Sequence, residues 1–138
     1  MKLRYRSLKQ WKYETLRVYA IQTPITGFDI LVDYITLRPD GTLVIDGRYA
    51  YDGVTGGPDL GSAMIAALVH DAFYQLMRLG LIPLSCRQVI DKLFYDICIW
   101  DGMAPVIAAT YYGVVRALGV FFCKPETEPE QKIYEVGA

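Results

Sequence analysis

The sequence predicts an α+β fold, with an N-terminal antiparallel β-sheet or hairpins followed by a three-helix C-terminal half. Three observations predict it. Residues 1–51 hold short β-branched and aromatic runs separated by turn signals. Residues 60–119 repeat apolar side chains every three or four positions, with glycine and proline where helices end. The 138 residues are 53% hydrophobic and 21% charged, enough apolar surface for one buried core. The expected organisation is a single domain over 1–123 and an extended, proline- and glutamate-rich tail over 124–138.

In the β-rich part, Leu16–Ile21 reads as one strand and Phe28–Leu37 as another. Pro39-Asp40-Gly41 is a turn signal, and Thr42–Ile45 returns from it as the second arm of a hairpin. A helix follows from about Leu60 to Met77, with Ala63, Met64, Ala67, Leu68 and Phe73 facing the core. Gly80 fits its C-cap. Ser85 is the expected N-cap of a second helix over Cys86–Trp100, with Val89, Leu93, Ile97 and Trp100 as its apolar stripe. Asp101-Gly102 closes it. A third helix spans Pro105–Leu118 and stops at Gly119. The run Met103–Cys123 is long enough to span a membrane and holds one charge, Arg116. That arginine sits well inside the run, where lipid would penalise it, so a buried helix is the expected form.

Charge and cysteine content exclude several function classes. The net charge is −1 and the pI near 5.8, so no nucleic-acid partner is expected. Three cysteines without a CxxC pair and a single histidine make neither a zinc pattern nor a disulfide framework. The basic start is not followed by an apolar core, so no signal peptide is expected.

The stretch with the most chemistry runs from Tyr49 to Tyr74, YAYDGVTGGPDLGSAMIAALVHDAFY. A glycine-rich turn leads into an apolar helix that carries the only histidine. His70 and Tyr74 are four apart and share a helix face. If this helix packs beside the next one, Asp91 accepts a hydrogen bond from one ring nitrogen of His70 and leaves the other as a general base. Tyr74 then donates to Asp91. Carbonyls around Gly53, Thr55 and Gly57, with the Asp71 carboxylate, are hard oxygen ligands that suit calcium. The same residue types also fit a packing network around a satisfied core histidine, and at this level both readings stand.

The arrangement YDGVTGGPD, eleven residues ending in His70, then Asp71 and Tyr74, is similar to the secreted phospholipase A2 pattern. That resemblance implies a calcium-dependent lipid or ester hydrolase. His70 would match its general base, Asp91 the orienting aspartate, Tyr74 the network tyrosine and Asp71 the calcium-binding aspartate. Gly53 and Gly57 would be loop positions. The chain lacks the paired cysteines that brace those enzymes, and Val54 and Thr55 interrupt the loop glycines.

A resemblance over about residues 45–119 is to an uncharacterised domain family of tailed bacteriophages and prophages. It rests on Asp52-Gly53 through Pro58, on AALVHDAFY, on CRQVIDKLFYDI and on VVRALG. The chain has Ile90-Asp91 where that family usually has Ala-Asp. This resemblance implies phage origin, a place in the virion or host cytoplasm, and membrane lipid or other phage structural proteins as partners, with oligomers possible. It also implies an alternative function, a structural virion or tail-associated protein.

Overall fold

A computed structural model describes residues 5–7, 13–15, 18–47, 50–51 and 63–124. Among them, seven strands precede three helices: β1 (Tyr5–Ser7), β2 (Tyr13–Thr15), β3 (Tyr19–Gln22), β4 (Ile30–Val32), β5 (Ile35–Leu37), β6 (Thr42–Ile45), β7 (Ala50–Tyr51), α1 (Met64–Arg78), α2 (Arg87–Trp100) and α3 (Pro105–Leu118). The fold is α+β. A four-stranded antiparallel sheet has the order β3-β6-β5-β4, and a smaller antiparallel sheet the order β1-β2-β7. The tail over 125–138 lies outside the described residues.

The β5–β6 hairpin forms at Pro39-Asp40-Gly41, with Leu37 opposite Leu43 and Ile35 opposite Ile45. Gly41 has φ +92°, and a Cβ there would collide with the Thr23 carbonyl. Only glycine therefore lets β3 lie this close to the turn, where Thr23 donates its N–H (3.0 Å) and hydroxyl (2.7 Å) to the Gly41 carbonyl. Ile35, Leu37, Leu43 and Ile45 are buried, while Thr36 and Val44 between them are only partly covered.

Phe28–Leu37 is not one strand. The chain reverses at Asp33-Tyr34, and β4 pairs back on β5 with Val32 opposite Ile35. Tyr34 takes φ +68°, an unusual conformation for a bulky residue. Its carbonyl accepts the Asp46 N–H at 2.8 Å.

α1 is buried on thirteen of its fifteen residues. A helix covered all round is a central core element, not a surface one. It ends in a Schellman turn: Gly80 (φ +74°) donates to Met77 and Leu81 to Leu76, both at 2.9 Å. α2 ends the same way at Gly102, φ +100°. Leu84–Cys86 forms a short 3₁₀ turn ahead of α2, so Ser85 sits inside that turn and Cys86 holds the cap position without a side-chain bond. The buried stripe of α2 is Ile90, Phe94, Ile97 and Cys98; of the expected stripe Ile97 is buried and Leu93 packs partly buried against the core, whereas Val89 and Trp100 are exposed. The helix is rotated so that Asp91 points inward.

Candidate functional site

α1 and α2 run antiparallel, since Tyr74 meets Arg87 while His70 meets Asp91 and Phe94. α3 runs antiparallel to α2 in turn, with Arg116 at Asp91 and Tyr111 at Phe94. These three helices place four polar side chains around one carboxylate. Asp91 is fully buried. His70 Nε2 lies 2.7 Å from Asp91 Oδ1, and the Tyr74 hydroxyl donates to the same oxygen at 2.6 Å. Arg116 donates from Nη1 to Oδ2 at 2.8 Å, and Arg87 Nε stands 3.6 Å from Oδ2. The His70 and Tyr74 rings stack with centroids 4.1 Å apart, and Phe94 meets His70 edge-on.

Burial by itself would raise the Asp91 carboxyl. Hydrogen bonds from His70, Tyr74 and Arg116 outweigh it and hold the group below its ordinary value. Asp91 is therefore an acceptor only, and His70 Nε2 must carry the proton between them. His70 is held below its ordinary value, first by burial, against the opposing pull of Asp91. Its ring is neutral at pH 7, and Nδ1 keeps its lone pair. Among the described residues, Nδ1 has no hydrogen-bond partner. His70 retains 8% exposure. The Tyr74 hydroxyl is pushed well above its ordinary value, first by burial and then by Asp91, so it stays a donor.

Arg87 ties the network to the end of α3. Its Nε donates to the Tyr74 hydroxyl at 3.0 Å, and its Nη2 donates to the carbonyls of Val115 (3.1 Å) and Arg116. These carbonyls lie in the last turn of α3, where a cation also opposes the helix dipole. Gly119 completes the enclosure. A Cβ there would collide with the Tyr74 hydroxyl and stand 3.1 Å from Arg87 Nη2.

The structure thus brings His70, Tyr74 and Asp91 within bonding distance. Asp71, one residue beyond His70 on α1, is half-buried. Gly53, Thr55 and Gly57 lie outside the described residues. Among the described residues, no group of three or more His, Cys, Asp and Glu side chains is placed to hold a metal. Of the four expected calcium ligands, only Asp71 lies among the described residues. Among those residues also, no helix is long and apolar enough to cross a membrane, and Arg116 is spent on Asp91.

Sequence reasoning left Arg87, Arg116 and Gly119 without a role at the site. Two signals pointed to the arginines. Arg87 and Asp91 have the four-residue spacing of a helical ion pair. Arg116 is the one charge in an apolar helix, and such a charge requires a partner. For Gly119 no local signal exists, because the need for a missing side chain comes from Tyr74 and Arg87 on other helices. No protein-family model, curated protein or solved structure matches the chain.

Proposed function

We propose that this chain is a phage-encoded hydrolase of phospholipase A2 type, acting on a lipid or other ester in entry or lysis, with His70 as general base. The observation that supports the reading most strongly is the pair of bonds on Asp91 Oδ1. His70 Nε2 and the Tyr74 hydroxyl both end there. The ring is thereby held in the tautomer whose Nδ1 can take a proton. In the reaction, water attacks the ester carbonyl carbon as Nδ1 takes its proton. The imidazolium that forms is stabilised by Asp91. It returns the proton to the leaving alcohol oxygen as the C–O bond breaks, giving a carboxylic acid and an alcohol. Asp91 stays ionised throughout, and Tyr74 keeps it in place.

A second reading has its own support. Arg116 and Arg87 both face Oδ2, and two cations beside one carboxylate disfavour a third on His70. His70 is also nearly closed off. Both features suit a packing network in a structural virion or tail-associated protein.

Fatty-acid release from mixed phospholipid vesicles separates the two, measured with calcium and with chelator for the native chain and His70→Gln. A positioned base contributes about 10²–10⁴-fold, so the hydrolase reading predicts release that falls at least about 100-fold in the variant. Loss of release in chelator would add calcium to the site. Equal release by His70→Gln, or none from the native chain on phospholipid or simple ester probes, leaves the packing network as the better account.

A further inference from the structure

The Tyr74 hydroxyl has one proton and two polar neighbours. Asp91 Oδ1 stands 2.6 Å away and Arg87 Nε 3.0 Å away. A guanidinium offers donors only, so Arg87 gives its proton to the hydroxyl oxygen. The hydroxyl proton is then left with one direction, toward Asp91. Arg87 is itself held, because its Nη2 donates to the Val115 and Arg116 carbonyls of α3. Its side chain keeps only 15% exposure, so water screens its charge little. Lys92 and Asp96 repeat the four-residue spacing of Arg87 and Asp91, but both side chains are more than half exposed and the pair is screened. Among the described residues, the charged and titratable groups around His70 come from all three helices. On α1, Tyr74 stacks on the ring, Asp71 follows it in the chain, and Arg78 lies two turns on. α2 supplies Asp91 and Arg87, and α3 supplies Arg116, which ends on the far oxygen of Asp91. Burial is the first cause that lowers His70. Asp91 opposes it, and Arg87 adds to it more than Arg78 does.

We propose that Arg87 is a positioning residue of this site: it turns the Tyr74 hydroxyl proton onto Asp91 and, through that carboxylate, keeps the His70 ring uncharged. The two effects have one sign. A cation on the hydroxyl oxygen makes Tyr74 a stronger donor, which draws negative charge from Asp91 Oδ1. The same cation stands 3.6 Å from Oδ2. Both weaken the hold of Asp91 on an imidazolium, so Nδ1 keeps its lone pair to lower pH. Without Arg87 the carboxylate would favour the charged ring, and the base would be lost nearer neutrality. The consequence for catalysis rests on the hydrolase reading, whereas the placement of the protons does not.

Arg87→Gln removes the charge, while Asp91 keeps its donors from His70, Tyr74 and Arg116. Arg87→Lys keeps the charge. Imidazole ¹⁵N shifts of the single histidine, followed from about pH 8 to about pH 5, give its midpoint in each chain. The midpoint should rise by at least about half a unit in Arg87→Gln, which is about threefold in proton affinity, and stay within about 0.3 unit of native in Arg87→Lys. A mere tether between α2 and α3 would lower the melting temperature of both variants and leave the midpoint where it was. An unchanged or lower midpoint in folded Arg87→Gln therefore overturns the proposal. Should that variant not fold, the native chain decides. Its Tyr74 hydroxyl proton should be a slowly exchanging signal with a nuclear Overhauser contact to the His70 ring N–H, and absence of that contact overturns the proposal. In fatty-acid release from phospholipid vesicles, the acid limb of kcat/KM should move upward with the His70 midpoint in Arg87→Gln. A native chain that releases nothing fails the hydrolase reading, while the titration still decides the role of Arg87.

Discussion

Asp91→Asn isolates the charge at the centre of the network while keeping its shape. In the native chain Asp91 accepts hydrogen bonds from His70 Nε2, the Tyr74 hydroxyl and Arg116 Nη1, all within 2.8 Å. An asparagine offers one oxygen and one amide nitrogen in that space. The nitrogen must then face a donor. Arg116 and Arg87 also lose their counter-charge. Removing one member of a buried pair costs about 3–5 kcal/mol. The two guanidinium groups keep 34% and 15% side-chain exposure, so water repays part of the loss. That places the expected cost near the lower end, about 3 kcal/mol. For a domain of this size it lowers the melting temperature by roughly 10 °C. Urea unfolding at pH 7 measures it, and the slope m should be unchanged while the midpoint falls. A double-mutant cycle with Arg116→Met should give a coupling of at least about 1 kcal/mol. A loss below about 0.5 kcal/mol in Asp91→Asn would refute the premise that three helices are tied through this carboxylate.

Further outcomes follow from the same geometry. Gly119→Ala should destabilise by about 1–3 kcal/mol through overpacking, because the new methyl group meets the Tyr74 hydroxyl and Arg87; urea unfolding reads this, and an unchanged midpoint would refute the enclosure. His70→Gln keeps a nitrogen donor that can reach Asp91, so its stability should stay within about 1 kcal/mol of native, whereas His70→Ala leaves Asp91 short of a donor and should lose about 1–3 kcal/mol. Stability should fall on acidification in two stages. The folded-state value of His70 lies below its ordinary 6.5, so the unfolded chain binds the extra proton first and stability drops as pH falls below about 6.5. Asp91 is also depressed, below 3.8, which adds a second loss as pH falls past that value. Unfolding free energies at stepped pH should show both limbs, with the upper one flattened in His70→Gln.

What the sequence made legible was local chemistry. Pro39-Asp40-Gly41 announced its hairpin, and Gly80 and Gly102 marked two helix ends that the structure closes with Schellman turns. Pro105 and Leu118 bound the third helix as expected. The misread strand and the misread helix stripe share one cause, which is tertiary. The break at Asp33-Tyr34 depends on β4 folding back onto β5, and nothing within Phe28–Leu37 signals it. Val89 and Trp100 fit a helical stripe as well as Ile90 and Phe94 do. The choice between the two stripes is made by Asp91, drawn inward by Arg116 and His70. Apolar periodicity weighs hydrophobic side chains only, so a helix oriented by a buried ion pair escapes it. The pairing of His70 with Asp91 and Tyr74 was readable because helical spacing put His70 and Tyr74 on one face. Arg87 and Arg116 became readable only once both helices were seen to converge on the same carboxylate.

His70 stands at the centre of the site as a neutral base, with its proton held on Nε2 by Asp91. The chain has one histidine, so selective ¹⁵N labelling of its imidazole gives one pair of ring-nitrogen signals. Long-range ¹H–¹⁵N correlation at pH 7 reads the tautomer directly. The native chain should show a protonated Nε2 and an unprotonated Nδ1, with a switch to mixed tautomers in Asp91→Asn. A charged ring at pH 7, or a proton on Nδ1 in the native chain, would contradict it.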